Sequence, residues 1–364
     1  MQLSPWCRAA CGPASIGAAL NAAPLRGAFP DLETGISRRH FLRSSCALAA
    51  SAVVVLPGIG SAAEAYPNRP IRIIVAYAPG TVLDMWARRV ADRLSRALRQ
   101  QVIVENRPGA SGTLGAVTAA NAAPDGYTLL FGGASEIGLS PSLFPNLPYI
   151  HEKPFQPITR FTSGNAILVV NPALDIRNMD DLIAQAKAKP GSITGGSPGT
   201  GTLTHLLLLA LNRSAGIDIL HVPYKSGTQA LTDVMAGHID VMFDWATACR
   251  TFIESGKLRP LLIAGSTRKP FLPQVPAATE MGWEALNFRG WNVFLAPYKT
   301  PRSIIDTLHK AMLPILRSAD FEAEIALAAG EIVTTTPEET AVFIAAEQNR
   351  ARQLVQLTGV KLDQ

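Results

Sequence analysis

Ser197 has the most suggestive chemical setting in the chain. It stands in Gly195-Gly196-Ser197-Pro198-Gly199, which satisfies G-x-S-x-G, the strand-to-helix turn that exposes the nucleophile of one class of serine hydrolases. Asp244 and His309 follow in the order such a triad uses. The wider stretch, residues 192–205 (SITGGSPGTGTLTH), supports a second chemistry: a short strand, a glycine-rich turn and the start of an apolar helix, LTHLLLLAL. Gly195, Gly196, Gly199 and Gly201 let the backbone approach a ligand, and Ser197, Thr200, Thr202 and Thr204 add hydroxyls. The first amides of a helix have no intrahelical acceptor and carry partial positive charge, so the turn suits an anionic group. An ordinary βα turn uses the same residue types as caps. G-x-S-x-G arises readily by chance in such turns, and His309 lies in a helical pattern, IIDTLHKAMLPIL, where a surface histidine is the plain expectation.

Other chemistries have less behind them. Gly199-x-Gly201 lacks the third glycine of a dinucleotide fingerprint, since position 204 is Thr. His205, His221 and His238 lack acidic partners at ligand spacing, so no metal and no cofactor is expected; His205 reads as a support for the loop. Lys225, after Val222-Pro223-Tyr224, reads as a solvated strand end. Cys249 reads as a small hydrophobe on a helix.

The elements that must position these residues begin after residue 65. Residues 37–43, SRRHFLR, form a twin-arginine pattern, followed by the apolar run CALAASAVVVLPGIG and a small-x-small site at Ala63-Glu64-Ala65. The run is too short for a spanning helix, which needs about 20 residues, and Pro57, Gly58 and Gly60 break it as a core helix. Residues 1–65 therefore read as a removed presequence with its signal at 37–65, and the protein as exported to the periplasm by the twin-arginine route. Five basic and three acidic residues fall in that segment, which leaves a net charge of only +3, scattered along the remainder; that is no footprint for nucleic acid. Cys7, Cys11 and Cys46 fall there too, so Cys249 stands alone in the rest and no intrachain disulfide is available to it.

From residue 66 onward, strands alternate with helices. PIRIIVAY (70–77) is a nearly continuous β-branched run, as expected of a buried parallel strand. Ala78-Pro79-Gly80-Thr81 turns it into a helix with Val82, Trp86, Val90, Leu94 and Leu98 at helical spacing; Thr81 is the expected N-cap, and Asp84 either complements the helix dipole or holds the turn or a ligand amine. Strands follow at 101–105 and 127–132, the second ending at Ala134-Ser135-Glu136. This spacing implies a right-handed parallel α/β unit, whose ligands lie beyond the carboxyl ends of its strands; the turns at 78–81 and 133–136 both fall there. A second set runs from AILVVN (166–171) through strands at 192, 217–224, 239–244 and 258–264, and a strand at 291–297 precedes three C-terminal helices. The fold class is α/β: two domains, each a mixed, mainly parallel sheet flanked by helices. Domain 1 is discontinuous (66–165 plus 291–364) and domain 2 spans 166–290. Two crossings between such domains make a hinge over a cleft, the architecture of a solute receptor.

These segments resemble, in order and nearly from end to end (66–364), the Bug-type periplasmic solute receptors of tripartite tricarboxylate transporters. The carrying motifs are YPNRPIRIIVAYAPG (66–80), VIVENRPGASGTLG (102–115), APDGYTLL (123–130), PSLFPNLPY (141–149), GSPGTGTLTH (196–205), HVPYKSGTQALTDVMAGHIDVMFD (221–244), GKLRPLLIAGSTRKPFLPQVPAATEMG (256–282) and FLAPYKTP (294–301). The resemblance implies a type II-like clamshell, no catalysis, a small organic acid as ligand and the membrane components of the transporter as partners; a monomer is expected. It places the carboxylate, partly through waters, between Ala78, Pro79, Gly80, Thr81 and Asp84 on one side and Ser197, Gly199, Thr200, Gly201, Thr202, His205 and Asp244 on the other. Ser135 and Glu136 join the candidates as the end of a first-domain strand, and Trp245 as the neighbour of Asp244. The chain departs from the family pattern where Thr81, Val82 and Leu83 replace small residues, where Glu136 replaces a neutral one and where Trp245 replaces a small polar one. Glu136 would face a ligand cation or solvent; Trp245 would stack on a ring or pack under the loop. The departures point away from a plain tricarboxylate and toward a monocarboxylate with an aromatic or amine part. A serine hydrolase built on Ser197, or a sensor for a signalling partner, is the alternative.

Overall fold

β1 (Ile71–Val75) is buried at four of its five residues and sits between two parallel neighbours. The computed structural model describes residues 66–360 apart from 145, 148 and 150–153; the export signal and cleavage site expected from the sequence fall outside the described residues. From β1 the chain enters α1 (Val82–Leu98), capped by the Thr81 hydroxyl, which accepts from the Asp84 amide. Trp86, Val90 and Leu94 form its buried stripe. β2 (Val102–Asn106) pairs with one edge of β1, and after α2 (Thr113–Ala120) β3 (Thr128–Gly133) pairs with the other. A π-helical turn, Ala134–Leu139, runs into the short α3 (Ser140–Leu143).

β4 (Phe155–Val170) then carries the chain from the first half of the sheet to the second. The second half repeats the first: α4 (Met179–Ala188), β5 (Ile193–Ser197), α5 (Leu203–Ala215), β6 (Ile219–Pro223), α6 (Gly227–Ala236), β7 (Val241–Trp245), α7 (Ala246–Glu254) and β8 (Arg259–Ile263). β9 (Arg289–Pro297) returns the chain to the first half. There α8 (Arg302–Leu316), α9 (Ala319–Leu327), the two-residue β10 (Glu331–Ile332) and α10 (Pro337–Thr358) complete it.

The strand order exposes the repetition. One half reads β2-β1-β3-β9-β4 and the other β6-β5-β7-β4-β8. In each, three parallel strands are followed by an antiparallel one, and that fourth strand is a crossing strand. β4 serves both halves: residues 155–165 pair with β9, and residues 166–170 with β7 and β8. Sequence patterning finds only its second part. FQPITRFTSGN is polar, contains Pro157 and Gly164, and shifts register between Pro157 and Thr159 and between Arg160 and Thr162. Bulges of this kind break the alternation on which a sequence reading depends.

Separate cores hold the halves. Phe131, Phe161, Phe294 and Phe321 are at most 1% exposed and stack or meet edge to face in the first. Leu206, Leu207, Leu208, Leu211 and Phe243 anchor the second. α10 straps the two: Ala351 and Leu354 join the second core, while Gln348 donates to the Ile137 carbonyl of the π-helical turn (2.9 Å). Because Phe161 on β4 touches three other rings, Phe161→Ala should cost about 3–5 kcal/mol. Urea unfolding of the variant against the parent protein measures this.

Candidate functional site

The carboxyl ends of β1, β3, β5 and β7, and the start of the helix that follows β6, open onto one cavity of ≈ 130 Å³. By the same measure a water needs at least about 10–15 Å³, so the space is that of roughly ten waters or one small organic molecule. Its floor is the waist of the sheet, where Thr162, Ser163 and Asn165 of β4 lie beside Gly290 and Asn292 of β9. Four helices begin at its wall: Thr81 and Val82 at α1, Thr202 and Thr204 at α5, Gly227 and Thr228 at α6, and Ala246 and Thr247 at α7. Each helix start carries a partial positive charge of roughly half a unit. No Lys, Arg or His lines the cavity among the described residues. Its positive pole is therefore backbone: the Thr81 and Thr202 hydroxyls at the helix starts spend their protons on the Ala78 and Gly199 carbonyls (2.9 and 2.7 Å), and among the described residues its one acidic side chain is Asp244.

The first-half loop is held by Asp84, which turns away from the cavity. Its carboxylate accepts from Gly80 N (2.9 Å), Asn106 Nδ2 (2.9 Å) and the Arg88 guanidinium (2.9 Å). Burial alone would raise its pKa; those hydrogen bonds outweigh it and hold the carboxyl below its ordinary value. Thr81 lines the cavity, but Ala78, Pro79 and Gly80 do not. Asp84 thus holds the turn, one of the two roles expected for it.

Glu136 faces neither the cavity nor solvent. It is fully buried, with Oε1 accepting from Gly133 N (2.6 Å) and Oε2 from the Tyr77 hydroxyl (2.7 Å). Burial raises the Glu136 pKa and, together with the Glu136 charge, drives the Tyr77 phenol well above its ordinary value. The adjacent Ser135 does line the cavity, and its Oγ accepts from Leu203 N (3.2 Å), the first residue of α5 in the other half. A second bridge between the halves joins the Ser111 hydroxyl to the Thr200 carbonyl (2.5 Å).

In the glycine-rich loop, Ser197 is buried beneath the turn, with its Oγ 2.7 Å from His221 Nε2. His205 Nδ1 accepts from Gly201 N (3.1 Å), and its ring lies 3.9 Å from that of His221. Burial depresses both imidazoles, His205 to about 3, with the nearby His221 adding to the effect, and His221 to about 4, so both are neutral near pH 7. His309, in the triad order expected for a hydrolase, instead sits on α8 with Nδ1 2.9 Å from the Ile158 carbonyl. Ser197 thus has an imidazole partner but no exposure, and the elbow is a loop support. Gly199, Thr200, Gly201 and His205 shape the loop without lining the cavity, while Pro198, Thr202 and Thr204 line it. At Gly199 and Gly201 the φ values of 136° and 83° require glycine.

Asp244 and Trp245 end β7 at the cavity. Asp244 is 4% exposed, and burial raises its pKa to about 6. Its Oδ1 accepts from Trp245 N (2.8 Å); Oδ2 has no hydrogen-bond partner among the described residues. The waist residues of β4 and β9 and the starts of α6 and α7 escaped the sequence reading. The strand-end rule that marked 78–81 and 133–136 would have found the helix starts; nothing local marks the waist.

A two-half α/β sheet with a ligand-sized cavity between its halves is the arrangement of a solute-binding receptor. Comparison with known proteins agrees. Residues 86–360 match the tripartite tricarboxylate transporter family receptor model, and the chain belongs to that family. The chain is 35% identical to protein BugT of Bordetella pertussis over 301 residues, 82% of this chain and 92% of BugT. Among solved structures, the periplasmic binding protein BugD superposes with a TM-score of 0.76 at 28% identity, covering 81% of this chain and 99% of BugD. The malate-bound MatC of Rhodopseudomonas palustris superposes at 0.75 and 28% identity, covering 80% and 100%.

Asp244 generates a pH test. Its folded pKa lies above the unfolded value, so between about pH 4 and 6 the native state holds a proton that the unfolded chain has lost, and stability falls as pH rises through that window. The full effect is about 3 kcal/mol. Asp244→Asn should be more stable than the parent protein at pH 8, with the gap closing toward pH 4. The neutral histidines act with the opposite sign, losing stability as acid protonates the unfolded chain, and cancel in this difference. Denaturant unfolding of both proteins at several pH values reads it out.

Proposed function

We propose that this protein is a periplasmic receptor that captures a small carboxylate in the cavity between its halves and delivers it to the membrane components of a tripartite tricarboxylate transporter. One observation carries the reading: four helix N-termini and a set of hydroxyls converge on a single cavity that no cationic side chain lines among the described residues. Aligned backbone amides favour an anion at that point, and an anion held this way leaves more readily than one locked in a buried ion pair, as delivery requires. The carboxylate lies among Thr81, Ser135, Thr202 and Thr204, which reach the cavity from both halves. The malate bound by MatC is a small carboxylate of this kind. The twin-arginine segment at residues 37–43 supplies the route of export.

The hinge lies where β4 and β9 cross, with domain 1 as residues 66–165 plus 291–364 and domain 2 as 166–290. The Ser111–Thr200 and Ser135–Leu203 bridges join the strand-end loops of the two halves. A ligand that touches both sides favours the closed arrangement by its differential contacts.

Thermal unfolding of the purified protein against a panel of organic acids tests the capture step. One acid class should raise stability by about 2.7 kcal/mol at 100 times its dissociation constant, and Thr204→Val, which removes a cavity-lining hydroxyl that donates to no carbonyl among the described residues, should weaken its binding tenfold or more by isothermal titration. Neutral analogues of the same acid should give no shift. A panel in which acids and neutral analogues behave alike would contradict the proposal.

A further inference from the structure

Trp245 lies where the cavity and the second core meet. The residue lines the cavity and packs against the core of that half. Its six-membered ring lies against the backbone of Gly290 on β9: a Cβ on Gly290 would come within 2.3 Å of Cζ3 and 2.5 Å of Cη2. No side chain fits between them, so the indole is seated on bare backbone and its position depends on glycine at 290. The cavity lining carries further apolar side chains: Val82, Leu83 and Trp86 from α1, Ala248 from α7, and Ile325 from α9. A small, strongly hydrated dicarboxylate or tricarboxylate would leave this surface facing water or apolar atoms to no benefit, whereas a flat apolar body would cover it.

The polar part of the cavity adds a second constraint. Asp244 lines the cavity and is 4% exposed; its Oδ2 accepts no hydrogen bond among the described residues and lies at the start of α6, 3.5 Å from where a Gly227 Cβ would stand. A second or third carboxylate on the ligand would meet this group with no lysine or arginine to offset the repulsion. A hydroxyl or ammonium group on a ligand in the cavity would donate to it, and a hydrogen bond to a charged acceptor is stronger than one between neutral groups.

We infer that the ligand is a monocarboxylate with a flat apolar or aromatic body that lies on Trp245 and a hydroxyl or ammonium donor that bonds Asp244. This rests on the receptor reading above and narrows it: the helix starts hold the single carboxylate, the indole selects the body, and Asp244 selects the donor. Trp245 and Asp244 are thereby the specificity-determining pair of the site.

Isothermal titration of the purified protein with 3-phenyllactate, phenylalanine, 3-phenylpropionate, malate and citrate tests this. 3-Phenyllactate or phenylalanine should bind at least tenfold more tightly than malate or citrate, and more tightly than 3-phenylpropionate, which lacks the donor. Trp245→Asn should weaken the aromatic acids tenfold or more while leaving malate unchanged or improved, and Trp245→Phe should restore most of the loss. Gly290→Ala, which displaces the indole from a distance, should mimic Trp245→Asn. Asp244→Asn should erase the preference over 3-phenylpropionate. Malate or citrate binding as tightly as the aromatic acids, or affinities within twofold after Trp245→Asn, would overturn this inference and leave the receptor reading standing. Failure of every acid to bind would overturn both.

Discussion

The site depends on a positive pole built from backbone rather than from side chains. Four helices start at one cavity, and among the described residues no Lys, Arg or His joins them there. That arrangement is possible only because both halves present the carboxyl ends of their parallel strands to the same space, and this in turn follows from the repeated strand order with β4 and β9 shared between them. Backbone dipoles are fixed by the fold and need no counter-charge when the site is empty. A lysine or arginine in the same place would have to be desolvated or paired.

Much of the surrounding chemistry serves to hold these helix starts in place. Asp84 gathers the Gly80 amide, Asn106 and Arg88, and so stiffens the turn that leads into α1. Glu136 does the same for the end of β3 through Gly133 and Tyr77. The neutral pair His205 and His221 supports the glycine-rich turn from below, one accepting from Gly201 and the other meeting Ser197. These groups look like catalytic or ligand-binding residues when taken one at a time. Their partners show them to be braces, which leaves Asp244 as the acidic side chain that the cavity sees.

The alternation of strands and helices, the N-cap at Thr81, the glycine-rich loop and the span of α10 were legible in the sequence because each is written in local patterns: β-branched runs, capping residues and helical spacing. The loops at 78–81, 133–136 and 197–202 were found for the same reason, since strand ends can be read from such runs. The first part of β4 was not legible, because Pro157, Gly164 and two register shifts remove the period that marks a strand. Side-chain direction was not legible either. Glu136 turns inward because its carboxylate finds Tyr77, 59 residues away in sequence, and Trp245 rests on Gly290 of a strand that returns only after the whole second half. No local pattern encodes either pairing, and the same holds for the waist that forms the cavity floor.

The most direct test of a backbone-built anion site is residue-resolved amide chemical-shift mapping by NMR during titration with a bound organic acid. The largest shifts should fall on the amides in the first turns of α1, α5, α6 and α7, with smaller ones at the waist of β4 and β9. Shifts concentrated instead around surface arginines and lysines, with those four helix starts unmoved, would contradict the account.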